Sequence, residues 1–249
     1  MNAKSVRVRW HREYISQGIP SSFRDEPSGS TVLFNKFLHH SGVCKGRLLD
    51  IGCGRGRNSI FFAEEGFVVD SVDFVPQIIS DLEMRITALN LVDKVHPRCH
   101  DVTKPWPFPD ASFDCAIDTF CYKHQIDEKD KALYRRELSR VLKPGGYYLL
   151  TLAGADDGYY GPLLKESPDQ SRHVILDPAN GIESILYSRC DVEKEFDDFM
   201  DVKYYKHKAQ EGVMHGKAYP RSTHLFIFAV TAFLQCGDIP IQVDPGDQT

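Results

Sequence analysis

The chain has 249 residues, of which 42% are apolar and 26% are charged, and its formal net charge is −5. These values are ordinary for a globular protein, and they exclude a disordered chain or a fibrous repeat. A mildly acidic chain lacks the surplus of Lys and Arg that binding to a phosphate backbone requires. We therefore expect no nucleic-acid partner.

The sequence also argues against a membrane protein and a secreted protein. The longest apolar run, residues 225–234, is about half of the ~20 residues that a bilayer-spanning helix needs. Residues 1–10 contain three basic side chains but no apolar stretch, so no signal peptide is expected. The seven cysteines are irregularly spaced and form no C-x-x-C pair, which predicts free thiols rather than a zinc site. We expect a cytoplasmic protein with no membrane contact and no metal site.

The predicted elements follow one another regularly along the chain. A helix over 31–39 is followed by strands over 47–52, 67–73, 95–101, 113–119 and 147–152 and by helices over 58–65, 75–90 and 127–142. Strands that alternate with helices at this spacing predict an α/β fold, with a parallel sheet and helices on both faces. Residues 153–190 are expected to be irregular, and the runs 198–206 and 222–230 predict an antiparallel pair that completes the sheet.

The most informative segment is the glycine loop Asp50-Ile-Gly-Cys-Gly-Arg-Gly56, which ends the first strand. Closely spaced glycines ahead of a helix let the backbone approach a ligand and direct N–H groups at it. A dinucleotide-binding loop needs its third glycine where this chain has Arg57, which argues against a NAD-dependent oxidoreductase. The pattern that remains, D-x-G-x-G-x-G, resembles motif I of the class I S-adenosylmethionine-dependent methyltransferases.

The resemblance extends over residues 47–152, where Pro107-Phe-Pro-Asp110 and Lys143-Pro-Gly-Gly146 are also typical of that family. It implies a Rossmann-like seven-stranded sheet with parallel strands and a C-terminal antiparallel hairpin. It also implies S-adenosylmethionine as the cofactor and S-adenosylhomocysteine as its product. We divide the chain accordingly into an N-terminal lid (1–45), a methyltransferase domain (46–232) with a substrate-side insertion at 153–190, and a flexible tail (233–249).

Acidic residues follow the next strand ends in the expected order. Asp73 ends the second strand, 19 residues after Gly54, and an acid at this separation accepts the ribose hydroxyl groups. Asp70 is the alternative, but it lies in the middle of that strand. By the resemblance, Asp101 ends the third strand and accepts the adenine amino group, and Phe74 flanks the adenine.

The resemblance implies a set of cofactor-binding residues, most of them at these strand ends. They are Tyr14, Asp50, Gly52, Cys53, Gly54, Asn58, Asp73, Phe74, Asp101, Val102, Asp118 and Thr119. Tyr14 belongs to the set through a narrower likeness to methyltransferases of the tellurite-resistance and thiopurine type, whose N-terminal W-x-x-x-Y segment folds over the cofactor. Trp10 and Tyr14 match that spacing. Pro20-Ser21 departs from the Pro-Trp that follows in that segment, which predicts a different wall on the substrate side.

Candidates for contact with the methyl acceptor follow the fourth strand. Methyl transfer is an in-line displacement in which the protein mainly orients and desolvates both partners. Tyr122 and His124 are the candidate catalytic residues, with a surface or capping role as the alternative for His124. Cys121 is expected to be a small buried side chain, because the transfer needs no covalent step. Arg172 and His173 form either an anion site or part of a solvated loop.

We expect a methyltransferase that acts on an O, N or S nucleophile of a small molecule, as a monomer or a homodimer. Residues 1–25 and 153–190 are expected to close over the substrate. Two alternatives stay open, a methyltransferase that modifies a protein side chain and a catalytically silent module that only binds S-adenosylmethionine.

Overall fold

The computed structural model describes residues 3–16, 19, 23–167 and 170–231. The helices are α1 (Ala3–Ser16), α2 (Gly29–His40), α3 (Arg57–Glu64), α4 (Pro76–Ala88), α5 (Glu128–Val141), α6 (Tyr160–Lys165) and α7 (Arg189–Phe196). The strands are β1 (Arg47–Ile51), β2 (Val68–Asp73), β3 (Val95–Cys99), β4 (Phe113–Thr119), β5 (Leu142–Ala153), β6 (Val174–Leu176), β7 (Glu183–Ile185), β8 (Met200–Met214) and β9 (Lys217–Val230). The predicted tail, 233–249, lies outside the described residues, as do Gly18, Pro20 and Ser21.

Seven strands form one sheet in the order β3-β2-β1-β4-β5-β9-β8. Strands β1 to β5 run parallel to their neighbours in this group, whereas β9 is antiparallel to both β5 and β8. The predicted Rossmann-like sheet with its C-terminal hairpin is therefore confirmed. The strand order reverses at β1, and ligands of such sheets bind at this point, beyond the carboxyl ends of the strands.

Successive residues of β1 pack on opposite faces of the sheet. Leu48 belongs to an apolar layer with Phe62 of α3, whereas Leu49 belongs to a second layer with Tyr134 of α5 and Phe196 of α7. All five side chains are fully buried. A parallel strand covered on both faces is mostly apolar, which explains the consecutive buried residues Leu48 and Leu49, and Asp50 is the polar exception in the buried part of β1. The two layers hold the strand ends, and with them the glycine loop, in fixed positions.

Residues 153–190 are more regular than expected. They contain α6, the antiparallel pair β6–β7 and the first residues of α7. The start of α7 is defined by a capping box, in which Ser188 and Asp191 each bond the other's backbone N–H. This S-x-x-D pattern is visible in the sequence but stands before a short, polar helix, so apolar periodicity does not reveal it.

Strand β5 and the final hairpin are both longer than predicted. Helix α5 stops at Val141, and β5 begins at once at Leu142, with a register shift against β4 between Phe113 and Cys115. Strands β8 and β9 continue beyond the end of β5 to a two-residue turn at His215 and Gly216. Both turn residues have positive φ, as tight hairpin turns require. The far end of the hairpin thus projects past the carboxyl ends of the central strands.

None of the helices in the described part of the chain has the length and apolar composition needed to cross a bilayer.

Candidate active site

A cavity of about 640 Å³ opens beyond the carboxyl ends of β1, β2 and β4. This volume is within the usual range for small-molecule sites. Ten of the twelve predicted cofactor-binding residues line it, namely Tyr14, Gly52, Cys53, Gly54, Asn58, Asp73, Phe74, Asp101, Val102 and Thr119. The other two, Asp50 and Asp118, are buried and do not line the cavity.

The three glycines of the loop after β1 all have positive φ, with values of 70°, 53° and 77° for Gly52, Gly54 and Gly56. A Cβ atom on Gly56 would lie 2.2 Å from the Leu82 Cδ1 atom, so this glycine allows α4 to pack against the loop. A Cβ atom on Gly54 would lie 3.2 Å from the Tyr14 hydroxyl group, at the cavity wall. The motif therefore contains one glycine for packing and another for close approach to a ligand.

Asp73 is the carboxylate at the end of β2. Its Oδ2 atom accepts hydrogen bonds from the Gly54 N–H group at 3.1 Å and from the Tyr14 hydroxyl group at 3.4 Å. Its Oδ1 atom accepts the Val75 N–H group at 3.0 Å. Burial raises the pKa of this carboxyl group, and the backbone hydrogen bonds oppose the rise. A carboxylate oxygen has two lone pairs, so Oδ1, which accepts one hydrogen bond, can still accept a ribose hydroxyl group.

Asp70, the alternative ribose acid, has a different surrounding. Its carboxylate is paired with the Arg47 guanidinium at 2.7 Å and the Arg98 guanidinium at 3.5 Å. It does not line the cavity. Its position in the middle of β2 places it among structural ion pairs.

Asp50 and Asp118 hold the loops on either side of the central strand ends. Asp50 Oδ2 accepts the Ser59 hydroxyl group at 2.5 Å, and Asp50 Oδ1 is buried without a hydrogen-bond partner in the described part of the chain. Asp118 accepts the N–H groups of Cys121 and Tyr122 at 2.7 and 2.8 Å. Burial raises the pKa of each carboxyl group to about 7.

Asp101 lies two residues beyond the end of β3, in a turn rather than in the predicted strand. Its Oδ1 atom accepts the N–H and hydroxyl groups of Thr103 at 3.0 and 2.8 Å. Phe74 and Val102 also line the cavity. The Asn58 amide donates to the Thr119 hydroxyl group at 3.2 Å and connects α3 with β4.

A strained turn follows β4. Phe120 has a φ of 75°, which is unusual for an aromatic residue. Tyr122 then points into the core and not into the cavity. It is fully buried, and its hydroxyl group bonds Glu195 and Arg135. This placement corrects the expectation that Tyr122 reaches the acceptor, because no atom of the residue lines the cavity.

Cys121 lines the cavity and packs against the glycine loop. A Cβ atom added to Gly52 would lie 2.7 Å from the Cβ atom of Cys121. Burial, and next the charge of Asp118, raise the pKa of its thiol well above the ordinary value. The thiolate form is thereby disfavoured. A packing role fits this surrounding, as the sequence predicts.

His124 lines the cavity together with Lys123, Tyr160 and Arg221, and we call the part formed by these four residues the acceptor side. Its Nδ1 atom lies 2.8 Å from the Glu183 carbonyl oxygen. A carbonyl oxygen only accepts, so Nδ1 carries the proton and Nε2 has a free lone pair. Burial, and next the charge of Lys123, lower the pKa of His124 to about 3. The imidazole is therefore neutral at physiological pH, and the Trp10 ring packs edge-on against it at 4.8 Å.

Lys123, Tyr160 and Arg221 also line the acceptor side, and sequence reasoning did not select them as site residues. The Lys123 Nζ atom lies 4.2 Å from the centre of the Tyr160 ring, and the Arg221 guanidinium carbon lies 5.2 Å from the same centre. Burial lowers the pKa of Lys123 to about 7, with a further contribution from Arg221. Arg172, considered from the sequence as an anion site, lines the cavity but is exposed and donates to the Ile126 carbonyl oxygen.

Helix α1 forms one wall of the cavity through Val6, Trp10 and Tyr14. The predicted W-x-x-x-Y spacing puts the rings of Trp10 and Tyr14 on one face, 6.0 Å apart. The Asn180 amide donates to the Glu13 carboxylate at 3.0 Å, so α1 is also attached to the segment between β6 and β7. The two segments predicted to close over the substrate are thus in contact.

A separate polar cluster joins the hairpin to the end of β5. Potential ligand atoms of Asp156, His207 and His224 lie within 4.8 Å of one another. His207 Nε2 is 2.7 Å from the Ser222 hydroxyl group, and His224 Nδ1 is 2.9 Å from the Tyr205 hydroxyl group. These hydrogen bonds account for the positions of the two imidazole rings.

Comparisons with known proteins define the class. Residues 48–146 match the family described as "Methyltransferase domain". Over 147 residues the chain is 36% identical to 2-methyl-6-phytyl-1,4-hydroquinone methyltransferase from Synechocystis, covering 56% of this chain and 44% of that one. Over 152 residues it is 30% identical to tRNA N(3)-cytidine methyltransferase METTL2 from Gallus gallus, covering 58% and 37%. The chain thus spans less than half the length of both relatives.

The fold is similar to that of solved methyltransferases over a longer part of the chain. The 1,6-didemethyltoxoflavin-N1-methyltransferase of Burkholderia thailandensis, solved with its substrate and S-adenosylhomocysteine, superposes with a TM-score of 0.65. The match covers 92% of this chain and 88% of that one at 19% identity. The seven-stranded sheet has the fold of this solved methyltransferase. Residues 48–146 match the methyltransferase domain that the resemblance through motif I predicted.

The residues of the site fit this cofactor. Asp73 offers a carboxylate at the cavity wall, and Gly54 leaves the wall free of a side chain next to it. A cationic or hydroxyl-bearing group of a ligand is what such a carboxylate binds.

Proposed function

We propose that this chain transfers a methyl group from S-adenosylmethionine to an O, N or S atom of a small molecule. The observation that supports this most directly is one cavity lined by two chemically different groups of residues. One group is Asp73 with the glycine loop, and the other is His124, Lys123 and Arg221. A donor and an acceptor can therefore meet in one cavity.

The glycine loop would hold the cofactor. Asp73 would bind the ribose, and Asp101 and Phe74 would lie close to the adenine. When bound, S-adenosylmethionine supplies an electrophilic methyl group. The work left to the chain is to bind both molecules, to orient the acceptor and to exclude water. Trp10 and Tyr14 of α1 serve the last purpose, because they line the cavity in contact with His124 and Asp73.

His124 is the residue that we propose to orient the acceptor. Its Nδ1–H group is held by the Glu183 carbonyl oxygen, so Nε2 is left to accept an O–H or N–H hydrogen bond from a ligand. An imidazole with a pKa of about 3 stays neutral. It can therefore direct an acceptor lone pair without placing a positive charge beside the sulfonium group.

The size of the acceptor follows from the walls of the cavity and from the net charge. The names of the relatives and of the structural neighbour include a hydroquinone, a tRNA cytidine and a toxoflavin precursor, so they do not define one acceptor. Trp10, Tyr160 and Met214, from three different elements, narrow the acceptor side. Together with a net charge of −5, these walls favour a small molecule over a tRNA.

The test is incubation with methyl-labelled S-adenosylmethionine and a pool of small metabolites, followed by mass spectrometry. We expect label in a small molecule, and we expect His124→Gln to lower the rate much more than His40→Gln, which changes an exposed histidine on α2. Label in the protein fraction alone would favour side-chain methylation. Binding of S-adenosylhomocysteine without any transfer would favour the silent binding module.

We infer a cytoplasmic location from the thiols. The six cysteines in the described part of the chain are all free. Free cysteines are typical of a reducing compartment.

A further inference from the structure

The acceptor side of the cavity contains a buried lysine that has no acidic partner among the described residues. Lys123 is only 3% exposed, and its side chain lines the cavity. Across the described residues, no carboxylate oxygen lies within 4.0 Å of its Nζ atom, and no hydrogen bond reaches it. A buried ammonium group without a partner is costly. Its position at a cavity wall points to a partner that comes from outside the chain.

The acidic groups that influence Lys123 most are already bound to other donors. These are Asp157 and Asp177. Asp157 Oδ2 accepts the Arg221 Nε–H group at 2.7 Å, and Asp177 Oδ1 accepts the Tyr159 hydroxyl group at 2.7 Å. They reduce the local positive charge but do not pair with the ammonium group.

Arg221 supplies a second cation on the same wall. Its guanidinium group and the Lys123 ammonium group both lie near the Tyr160 ring. Arg221 uses Nε to bond Asp157, and its two Nη groups have no hydrogen bond within the described residues. Asp157 and Asp177 together balance the charges of Lys123 and Arg221, so the wall offers a ligand unused N–H donors on two cationic groups. This is the donor set that a carboxylate needs.

We propose that Lys123 and Arg221 form an anion-binding subsite that holds the carboxylate of the methyl acceptor. The acceptor is then a small organic acid, held by its acidic group beside the Nε2 atom of His124. This inference rests on the proposed function, because it defines the acceptor class of the same cavity. Tyr160 contributes the aromatic face that positions both cations.

The first test needs no variant. The protein is saturated with S-adenosylhomocysteine, and calorimetry compares 4-hydroxybenzoate with 4-hydroxybenzamide and octanoate with octanamide. Within each pair, size and apolar surface are matched and only the charge differs. We expect at least one acid to bind about tenfold more tightly than its amide, as a charge-assisted hydrogen bond would produce. If no acid is preferred, including the case in which none of the four compounds binds, the proposal is wrong.

Two lysine variants separate the subsite from general effects of charge. Lys123→Met should abolish the preference for the acid. Lys131→Met is the matched control, since Lys131 is also buried but pairs with Glu195 at 2.6 Å and does not line the cavity. It should keep the preference.

Thermal stability gives a readout that a structural lysine would not show. Lys123→Met should raise the melting temperature of the ligand-free protein, because it removes an unpaired buried charge. Lys131→Met should lower it, because Glu195 loses a partner. A Lys123→Met variant that is less stable than the wild type and keeps its acid preference would contradict the proposal.

The two proposals fail in distinguishable ways. If S-adenosylhomocysteine does not bind the wild type, the proposed function is wrong, and the acid and amide pairs can still be compared with the free protein. If it binds and no acid is preferred, only the subsite is wrong.

Discussion

The Tyr14 hydroxyl group lies 3.4 Å from the Asp73 carboxylate. The hydrogen bond joins α1 to the end of β2, although the two residues are far apart in the sequence. The same carboxylate oxygen accepts the N–H group of Gly54. One oxygen atom thus connects the N-terminal helix, the glycine loop and the proposed ribose site, which makes closure of the cavity sensitive to what binds at Asp73.

Replacement of Asp73 by Asn should weaken cofactor binding. The amide keeps the size of the side chain but cannot accept two charge-assisted hydrogen bonds, so we expect the Kd for S-adenosylhomocysteine to rise at least about tenfold. Asp70→Asn is the control, since Asp70 is paired with Arg47 and Arg98. It should lower the melting temperature and change the affinity little. Calorimetry and thermal unfolding measure both effects, and a larger loss of affinity in Asp70→Asn would mean that the ribose acid is misassigned.

Deletion of residues 1–25 should abolish turnover and leave the sheet folded. The deletion removes the contact of Trp10 with His124 and the hydrogen bond of Tyr14 to Asp73. Both apolar layers that pack on the sheet remain. Circular dichroism checks the fold, and a methyl-transfer assay checks the activity. Full activity after truncation would show that α1 is not a lid.

Limited proteolysis of the intact chain tests the same helix without a deletion. Segments that close over a ligand are less stable without it. Trypsin should therefore cut at Arg24, which is exposed, faster in the free protein than with cofactor and acceptor bound. Equal rates in both states would argue that α1 is permanently docked. Gly18, the other expected cleavage point, lies outside the described residues.

Two glycine variants should separate folding from binding. Gly56→Ala places a Cβ atom 2.2 Å from the Leu82 Cδ1 atom at a φ of 77°. Overpacking and strain of this kind destabilise by about 1–3 kcal/mol. Gly54→Ala carries the same kind of backbone strain at a φ of 53°, but it meets only the Tyr14 side chain, with the hydroxyl oxygen nearest at 3.2 Å, so it should lose less stability than Gly56→Ala and more cofactor affinity. Urea unfolding measures the stability of both variants, and calorimetry measures their cofactor affinity. Equal losses of stability and of affinity in the two variants would contradict the prediction.

The preference for an acid should depend on pH in a defined direction. Lys123 has a pKa of about 7, and it is surrounded by Arg221 on β9, by Asp157 before α6, and by Asp177 after β6. Below this pKa the ammonium group attracts a carboxylate, and above it the neutral amine does not. Between pH 7 and 8.5 the affinity for 4-hydroxybenzoate should fall by up to about tenfold per pH unit, whereas that for 4-hydroxybenzamide should stay constant. A parallel change for both compounds would point to another group.

The cofactor side of the site could be predicted because it depends on short segments. The glycine spacing, and the position of Asp73 at a strand end, are both local in the sequence, and the parallel sheet brings them together. The pattern V-x-x-V-D-F places the end of the strand at Asp73 and leaves Asp70 inside the strand. In the structure β2 ends at Asp73, as this pattern predicts.

The acceptor side could not be predicted in the same way. A lysine in a sequence is expected at the surface, and the burial of Lys123 arises only when α6 and β9 pack over it. The prediction that Tyr122 reaches the acceptor is wrong because of the positive φ of Phe120, which is rare for an aromatic residue. This turn directs Tyr122 into the core and Lys123 into the cavity. No pattern of residue types reveals such a turn.

The walls of the cavity have different origins in the chain. Residues 48–146 supply the glycine loop and Asp73, whereas Trp10, Tyr160 and Met214 come from α1, α6 and the hairpin strand β8, all outside that domain. Substitutions in α6 and the hairpin can therefore change the shape of the acceptor space without touching Asp73, whereas α1 is also bonded to Asp73 through Tyr14. Exchange of the hairpin end between related proteins is thus a direct route to a changed choice of acceptor.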